Sequence, residues 1–270
     1  MRICRFTPLA SRGEEIQYGV LTGEVDQFGQ PAEDSVIVAL AGDPLYVGIK
    51  LLEQEHRLAD VKLLAPVLPR SKVIGIGKNY AAHAKEMGGG VPSEPLMFLK
   101  PNTSVIGPGD TIQLPSQSAE VDYEGELAVV IGRICRDVPV ERASEVIHGY
   151  TVANDVTARD LQRKDGQFTR AKGFDTFCPL GPWIETELDP SSISVQTYRN
   201  GDLVQDGNTS DMVFDIPALI AHVSSVMTLL PGDVILTGTP EGVGPMQAGD
   251  EIEIVVAGIG SLTNKVAKNS

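Results

Sequence analysis

Three acidic residues lie where predicted strands turn polar or end. Glu124 and Glu126 are two positions apart in AEVDYEGELAVVIG (119–132), and Asp155 follows a predicted strand at 150–153. Side chains alternate along a strand, so Glu124 and Glu126 share a face, about 6–7 Å apart at the backbone. Burying both carboxylates in the ionised form is costly unless a cation lies between them. Three hard oxygen ligands suit Mg²⁺ or Mn²⁺, with open positions for water or substrate.

Two other interpretations of the acidic residues remain open. In the first, they decorate a solvated sheet face, which we expect for Glu120 and Asp122 because these lie toward a loop. In the second, the two inner carboxylates pair with Lys172 or Arg159 in a metal-free ion cluster. The apolar run LAVVI (127–131) directly follows the inner pair and favours its burial.

A histidine and a glutamate form a second candidate group. His83 and Glu86 are three positions apart in the alanine-rich stretch NYAAHAKEMGGG (79–90), so they face the same way on a short helix. A carboxylate beside an imidazole orients it and raises its basicity, as a general base requires. An ion pair on an exposed helix is the alternative. The glycine run in GGGVPSEP (88–95) favours a helix that orders as a lid.

Periodicity predicts the elements that position these groups. A strand runs from Val121 into the apolar run, and a second strand leads through Asp155 into a helix that carries Arg159 and Gln162. If that helix starts at Asp155, the three side chains point to one side. A further helix is predicted in DIPALIAHVSSVMTLL, with Asp215 as its N-cap.

The chain is divided by these patterns into a small N-terminal β-rich domain, 1–70, and a larger domain, 71–270. YGVLTGEV and DSVIVAL predict short strands, DPLYVGIKLLEQEHRL (43–58) is compatible with a helix, and the prolines of LLAPVLPRSK end that pattern. Strands that outnumber helices favour an α+β fold on a mixed or antiparallel sheet.

Composition restricts the possible partners and cellular location. The net charge is −14, which argues against sequence-independent binding to nucleic acid or to an anionic membrane. The three cysteines are widely spaced and the four histidines form no local ligand pair, so neither a disulfide framework nor a zinc site is expected. Reduced cysteines, no signal-peptide pattern and no apolar run of about 18 residues predict a cytoplasmic protein.

Six motifs together resemble the fumarylacetoacetate hydrolase family, over about residues 70–268. They occur in that family's order and spacing: VIGIGKNYAAHAKEMG, PLMFLKPNTSVIGPGD, VDYEGELAVVIG, GYTVANDVTARDLQ, KGFDTFCPLGPWI and PGDVILTGTPEGVG. The resemblance implies an α+β fold, the mixed β-sheet roll of that family with few helices, and a homodimer. A dinucleotide loop at 75–80 is rejected, because Tyr80 stands where that fingerprint needs glycine.

The resemblance also implies roles for individual residues. Glu124, Glu126 and Asp155 match ligands of Mg²⁺ or Mn²⁺. Lys172 matches a catalytic lysine near the metal, and His83 with Glu86 matches the catalytic pair of acylpyruvase-like members. Four further positions match residues near the substrate's carboxylate and oxo groups: Arg159, Gln162, Thr239 and Lys100.

These roles predict a metal-dependent hydrolase for a small 2-oxo acid. It would cleave a C–C bond of an acylpyruvate such as fumarylpyruvate, with the pyruvate enolate stabilised by the metal. Oxaloacetate decarboxylation and isomerisation of 2-hydroxyhepta-2,4-diene-1,7-dioate use the same centre and remain alternatives. A non-catalytic metal-binding module is the alternative from a different class.

Overall fold

The computed structural model describes residues 1–11, 15–32 and 34–268, and strands dominate it. Five α-helices occur in these ranges: α1 (Pro44–Val47), α2 (Ala81–Glu86), α3 (Arg159–Asp165), α4 (Phe168–Lys172) and α5 (Ile216–Val226). The first ten strands are β1 (Arg2–Pro8), β2 (Gln17–Thr22), β3 (Val36–Leu40), β4 (Leu51–Arg57), β5 (Val61–Leu64), β6 (Val73–Gly77), β7 (Leu96–Lys100), β8 (Val105–Ile106), β9 (Thr111–Leu114) and β10 (Val121–Tyr123). The other ten are β11 (Gly125–Ile131), β12 (Ile147–Asn154), β13 (Thr157–Ala158), β14 (Cys178–Glu185), β15 (Ser194–Arg199), β16 (Asp202–Asn208), β17 (Val234–Leu236), β18 (Gly244–Pro245), β19 (Glu251–Val256) and β20 (Gly260–Lys268).

The strands form three sheets, and the largest one carries most of the site. Its order is β4-β3-β2-β1-β14-β12-β11-β17-β6-β7, with β5 added on β1 and β8 on β14. A five-stranded sheet, β16-β15-β19-β20-β9, packs against it through β11, β12 and β14. The third sheet is β13-β10-β18. Most pairs are antiparallel, but β17 runs parallel to β6 and β20 parallel to β9. The predicted α+β fold with mixed sheets and few helices is confirmed.

The N-terminal strands continue the large sheet, because β1 pairs with β14 through Arg2 and Glu185. The division at residue 70 stays a prediction. The helix suggested for 43–58 is wrong for most of its length: α1 ends at Gly48, whose φ is 71°, and 51–57 form the edge strand β4. Pairing with β3 overrides the helical pattern there.

Two other helix predictions are confirmed. Asp215 accepts a hydrogen bond from the amide of Ala218 at 2.9 Å, so it caps α5 at its N-terminus as expected. The glycine run ends α2, where Gly88 has a φ of 72°. No helix in the described part of the chain is long and apolar enough to cross a membrane.

Candidate active site

The three predicted carboxylates meet at one end of two paired strands. β11 and β12 are antiparallel with Gly125 opposite Asn154, so the residues beside this pair are brought together. Glu124, Glu126 and Asp155 each offer an oxygen within 4.8 Å of the others, and all three residues are at most 4 % exposed. The solvated-face interpretation is therefore wrong for Glu124 and Glu126. Their role as metal ligands stays a prediction.

The acidic strand is interrupted at Glu124, which lies between β10 and β11. The amide of Glu124 donates to Asn154 Oδ1 at 3.0 Å, and the amide of Gly125 donates to Gln205 Oε1 at 2.9 Å. At this point the two backbone amides therefore donate to side-chain oxygens and not to the carbonyl oxygens of a neighbouring strand. Glycine is required at position 125, because a Cβ there would lie 2.2 Å from the hydroxyl oxygen of Thr197.

Buried cations surround two of the three carboxylates. Glu124 accepts a hydrogen bond from Arg159 on one carboxylate oxygen and from Lys172 on the other, the latter at 2.9 Å. Asp155 lies between Lys172 and Lys100, each at 2.6 Å. Burial alone would raise the pKa of Glu124, but the charges of Lys172 and Arg159 hold it well below its usual range. Glu124 is therefore ionised.

Glu126 differs from its two neighbours. Its Oε2 accepts a hydrogen bond from the amide of Gly238 at 2.7 Å, and no cationic side chain of the described residues lies within 4 Å of its carboxylate. Burial, followed by the nearby charges of Asp155 and Glu124, raises the pKa of Glu126 well above its usual value. A metal-free ion cluster thus accounts for Glu124 and Asp155 but leaves Glu126 without a counter-ion.

The donor set therefore fits a divalent metal ion. A cation placed among the three carboxylates would supply the charge that Glu126 lacks, and the ligands are the oxygen atoms that Mg²⁺ and Mn²⁺ prefer. Arg159 also pairs with Asp122, which is not a predicted ligand, and Lys172 donates a further hydrogen bond to the Thr157 hydroxyl at 2.7 Å, so a metal ion at Glu124 and Asp155 would leave both cations with a polar partner. The residues present are compatible with the metal that the sequence predicts.

Asp122 does not lie on a solvated strand end, as the sequence suggested. It is 4 % exposed, and its Oδ2 accepts a hydrogen bond from Arg159 Nε at 2.8 Å. Its strand, β10, pairs with β13 and β18 and not with the strands beside β11, which turns the side chain inward. Glu120, by contrast, forms an exposed ion pair with Arg163, as expected for a solvated position.

Replacing Asp122 with alanine should destabilise the protein, because it leaves the buried Arg159 guanidinium with one acidic partner fewer. We expect the free energy of unfolding to fall by about 3 kcal/mol, as when one partner of a buried ion pair is removed. Glu120→Ala breaks an exposed pair and should change it little. Urea denaturation of both variants is the measurement, and equal effects would contradict the separation of these two acids.

His83 is buried in the wall of the site, whereas its partner Glu86 is exposed beside it. The His83 side chain is 6 % exposed, and its Nδ1 lies 3.1 Å from Glu86 Oε2. The other oxygen of Glu86 accepts a hydrogen bond from the amide of Gly242 at 3.1 Å. Glu86 therefore orients the imidazole and also ties α2 to the loop that follows β17. This position is compatible with the predicted lid, which stays a prediction.

One cavity of about 210 Å³ brings most predicted residues together. Its wall includes seven predicted by the sequence: His83, Glu124, Glu126, Arg159, Gln162, Lys172 and Thr239. Arg159 and Gln162 lie on α3, where Nη1 of the arginine donates to Oε1 of the glutamine at 2.7 Å. Helix α3 begins only at Arg159, so Asp155 precedes it. Lys100 is 1 % exposed and lies behind Asp155, outside the cavity wall.

Sequence reasoning missed several residues that build the site. Lys78 lines the cavity, Gly238 holds Glu126, and Gln205 connects Gly125 with Thr239, whose hydroxyl its Nε2 contacts at 2.8 Å. A signal existed for Lys78 and Gly238, because both lie within quoted motifs. Gln205 lies in β16 of the five-stranded sheet, and no motif or spacing in the sequence indicated that it would reach the site.

Gly238→Ala should disturb both folding and the acidic site. Gly238 has a φ of 100°, and a Cβ there would lie 2.7 Å from Cβ of Asn79. Gly249 is a matched control, since its φ is 98° and nothing lies within 4 Å of its added Cβ. Both changes carry a backbone cost of about 1–3 kcal/mol. Only Gly238→Ala should lose more stability than this backbone cost, because of the clash with Asn79. It should also bind Mg²⁺ about 10- to 100-fold more weakly, the usual effect of losing a contact that supports a metal ligand.

Chemical denaturation and calorimetric Mg²⁺ titration measure these two effects. Equal stability and equal Mg²⁺ affinity in the Gly238→Ala and Gly249→Ala variants would contradict the role assigned to Gly238.

Comparison with known proteins identifies two family models along the chain. The model described as fumarylacetoacetate (FAA) hydrolase C-terminal matches residues 72–267, and the model described as Rv2993c-like, N-terminal, matches residues 1–66. Protein Rv2993c of Mycobacterium tuberculosis is 51 % identical over 257 residues, which cover 93 % of this chain and 95 % of that protein. The mitochondrial oxaloacetate tautomerase fahd2 of Xenopus laevis is 46 % identical over 220 residues, 77 % of this chain and 69 % of that one.

Solved structures with the same fold carry names of two reaction types. The 5-carboxymethyl-2-hydroxymuconate delta-isomerase of Mycobacterium smegmatis superposes with a TM-score of 0.89 at 50 % identity and full coverage of both chains. The maleylpyruvate hydrolase of Sphingobium sp. SYK-6 superposes with a TM-score of 0.78 at 34 % identity, again over both full chains.

Proposed function

The chain belongs to the fumarylacetoacetate hydrolase family, and from this premise we propose that it is a divalent-metal-dependent enzyme that acts on 2-oxo acids through an enolate. The observation that carries the proposal is the position of His83. Its imidazole, oriented by Glu86, lines the same cavity as Glu124 and Glu126. A base and an acidic, metal-compatible cluster therefore face one substrate space.

Glu124, Glu126 and Asp155 are the residues that would hold the metal, Mg²⁺ or Mn²⁺. When bound, a divalent cation supplies Lewis-acid stabilisation to the carboxylate and oxo oxygens of a 2-oxo acid. Arg159 and Lys172 line the cavity and add fixed positive charge toward the same oxygens. Lys100, buried against Asp155, acts as a positioning residue and does not touch the substrate.

His83 would carry the proton transfer. For an acylpyruvate, its imidazole takes a proton from water and the resulting hydroxide adds to the distal carbonyl. The C–C bond then breaks to give a carboxylic acid and the enolate of pyruvate, and the imidazolium returns its proton to the enolate carbon, which gives pyruvate. Glu86 stabilises the imidazolium that forms. Gln162 and Thr239, both in the cavity wall, orient the substrate by hydrogen bonds. Acylpyruvate hydrolysis is thus our first candidate for the net reaction.

Isomerisation of a 2-oxo or 2-hydroxydienoic acid is the second candidate, and the comparisons favour it. A relative at 46 % identity is named an oxaloacetate tautomerase, and a solved structure at 50 % identity is named a delta-isomerase, whereas two solved structures named as hydrolases are 39 % and 34 % identical. For oxaloacetate, His83 could perform this reaction without water, by taking a proton from the carbon beside the oxo group and returning it to the oxo oxygen. Oxaloacetate decarboxylation needs no such base.

Turnover of four substrates by the Mg²⁺-loaded protein tests the proposal. The panel is fumarylpyruvate, acetylpyruvate, oxaloacetate and a 2-hydroxydienoate, each with wild type and His83→Ala. Cleavage of acylpyruvates that is lost in the variant supports hydrolysis. Proton exchange or isomerisation without cleavage, also lost in the variant, supports the second candidate. Decarboxylation that survives His83→Ala overturns the role of His83, and no turnover of any substrate overturns the function.

A further inference from the structure

A lysine in the cavity wall has no acidic partner. Four lysine or arginine side chains line the cavity, and three of them form ion pairs: Arg159, Arg163 and Lys172. Within the described ranges no carboxylate lies within 4 Å of the ammonium group of the fourth, Lys78. An unpaired cation in a partly enclosed cavity favours an anionic ligand group, because a half-buried charge gains more from a counter-charge than an exposed one does.

The backbone at Lys78 is strained and held in place. Lys78 has a φ of 58°, a left-handed conformation that side-chain-bearing residues rarely adopt. The next residue, Asn79, is fully buried, donates from Nδ2 to the carbonyl oxygens of Phe214 and Thr237, and accepts from the amide of Phe214. Three hydrogen bonds thus impose the turn. Such imposed strain occurs where a side chain must be presented in a particular direction.

The ammonium group of Lys78 lies next to the glycine segment after α2. A Cβ at Gly89 would lie 2.6 Å from Lys78 Nζ, so the absence of a side chain at Gly89 leaves room for this cation. The metal-compatible carboxylates, by contrast, lie at β11 and after β12. The cavity therefore has two charged regions, one built for the 2-oxo acid end of a substrate and one that carries a free positive charge.

Resting on the proposed function, we propose that Lys78 binds the second carboxylate of the substrate and makes the enzyme selective for dicarboxylic 2-oxo acids. An ammonium group is a compact point charge that binds a single carboxylate by a charge-assisted hydrogen bond. A substrate with a methyl group at that end leaves the half-buried Lys78 without a counter-charge, which discriminates against it.

Two chemically matched probes test this selectivity. 2-Oxoglutarate and 2-oxopentanoate have the same chain length, but only the first has a terminal carboxylate. Calorimetric titration of each into the Mg²⁺-loaded protein gives the ratio of their affinities. In Lys78→Met this ratio should fall by about 10- to 100-fold, the worth of one hydrogen bond to a charged group. Lys78→Arg should restore most of it.

Lys85→Met is the control, because Lys85 is exposed on the neighbouring helix α2 and lies outside the cavity wall. It should leave the ratio unchanged. An unchanged ratio in a folded Lys78→Met protein, or an equal loss of affinity for both probes, overturns the role of Lys78 while the proposed function stands. Wild type that binds neither probe, in the presence of Mg²⁺, overturns the proposed function and this inference with it.

Discussion

Glu126→Gln is expected to abolish catalysis and weaken Mg²⁺ binding by more than about 100-fold, without loss of stability in the metal-free protein. A direct ligand should cost at least as much affinity as the residues that support it, which cost about 10- to 100-fold. The metal-free protein should be as stable as wild type or more stable, because glutamine replaces a carboxyl group whose ionised form is disfavoured by burial and by the charges of Asp155 and Glu124. Glutamine can still accept the hydrogen bond from Gly238.

Glu124→Gln is the informative comparison, since it should also lose Mg²⁺ binding but destabilise the metal-free protein. It leaves Arg159 and Lys172 with one acidic partner fewer, which we expect to cost about 3 kcal/mol. Calorimetric Mg²⁺ titration and urea denaturation without metal measure both effects. If Glu126→Gln binds Mg²⁺ as wild type does, Glu126 is not a metal ligand; if wild type itself binds no Mg²⁺, the carboxylates form an ion cluster and not a metal centre.

His83→Ala should lower kcat by about 10²- to 10⁴-fold, the usual contribution of a positioned general base. The Mg²⁺ affinity should stay unchanged, because His83 lines the cavity but is not among the three carboxylate ligands. Glu86→Gln should cause a smaller loss, since the amide can still orient the ring while the charge that stabilises the imidazolium is gone. Steady-state kinetics with the best substrate of the panel, together with Mg²⁺ titration, measure these effects.

His222→Ala serves as the control for this prediction. His222 is half-buried on α5 and lies outside the cavity wall, so its loss should leave kcat unchanged. Full activity of His83→Ala would show that the proton is transferred by another group, even if the metal centre is correct.

The two predictions separate the two halves of the site. The Glu126 and Glu124 variants test whether the buried carboxylates bind a cation, and the His83 variants test whether the chemistry needs a base. A protein that binds Mg²⁺ normally but keeps activity without His83 would be compatible with decarboxylation. A protein that neither binds Mg²⁺ nor turns over any substrate of the panel would be compatible with a metal-free module of the same fold.

Local sequence patterns by themselves determined the groups that carry charge. A period of two placed Glu124 and Glu126 on one buried strand region, and Asp155 followed from the end of the next strand. Helical spacing paired His83 with Glu86, and Asp215 was recognisable as a helix cap. Each of these features depends on residues within a few positions of one another, so it can be predicted from backbone geometry alone.

Only the tertiary structure decided how those groups are connected. The acidic strand breaks at Glu124 because Asn154 and Gln205, 30 and 80 positions away, accept its backbone hydrogen bonds. Asp122 is buried against Arg159, although its place toward a loop predicted a solvated position. Lys78 reached the cavity because Asn79 is anchored on segments more than 130 positions further along the chain. Contacts between residues so distant in sequence leave no local periodicity, and they set both the counter-charges and the shape of the site.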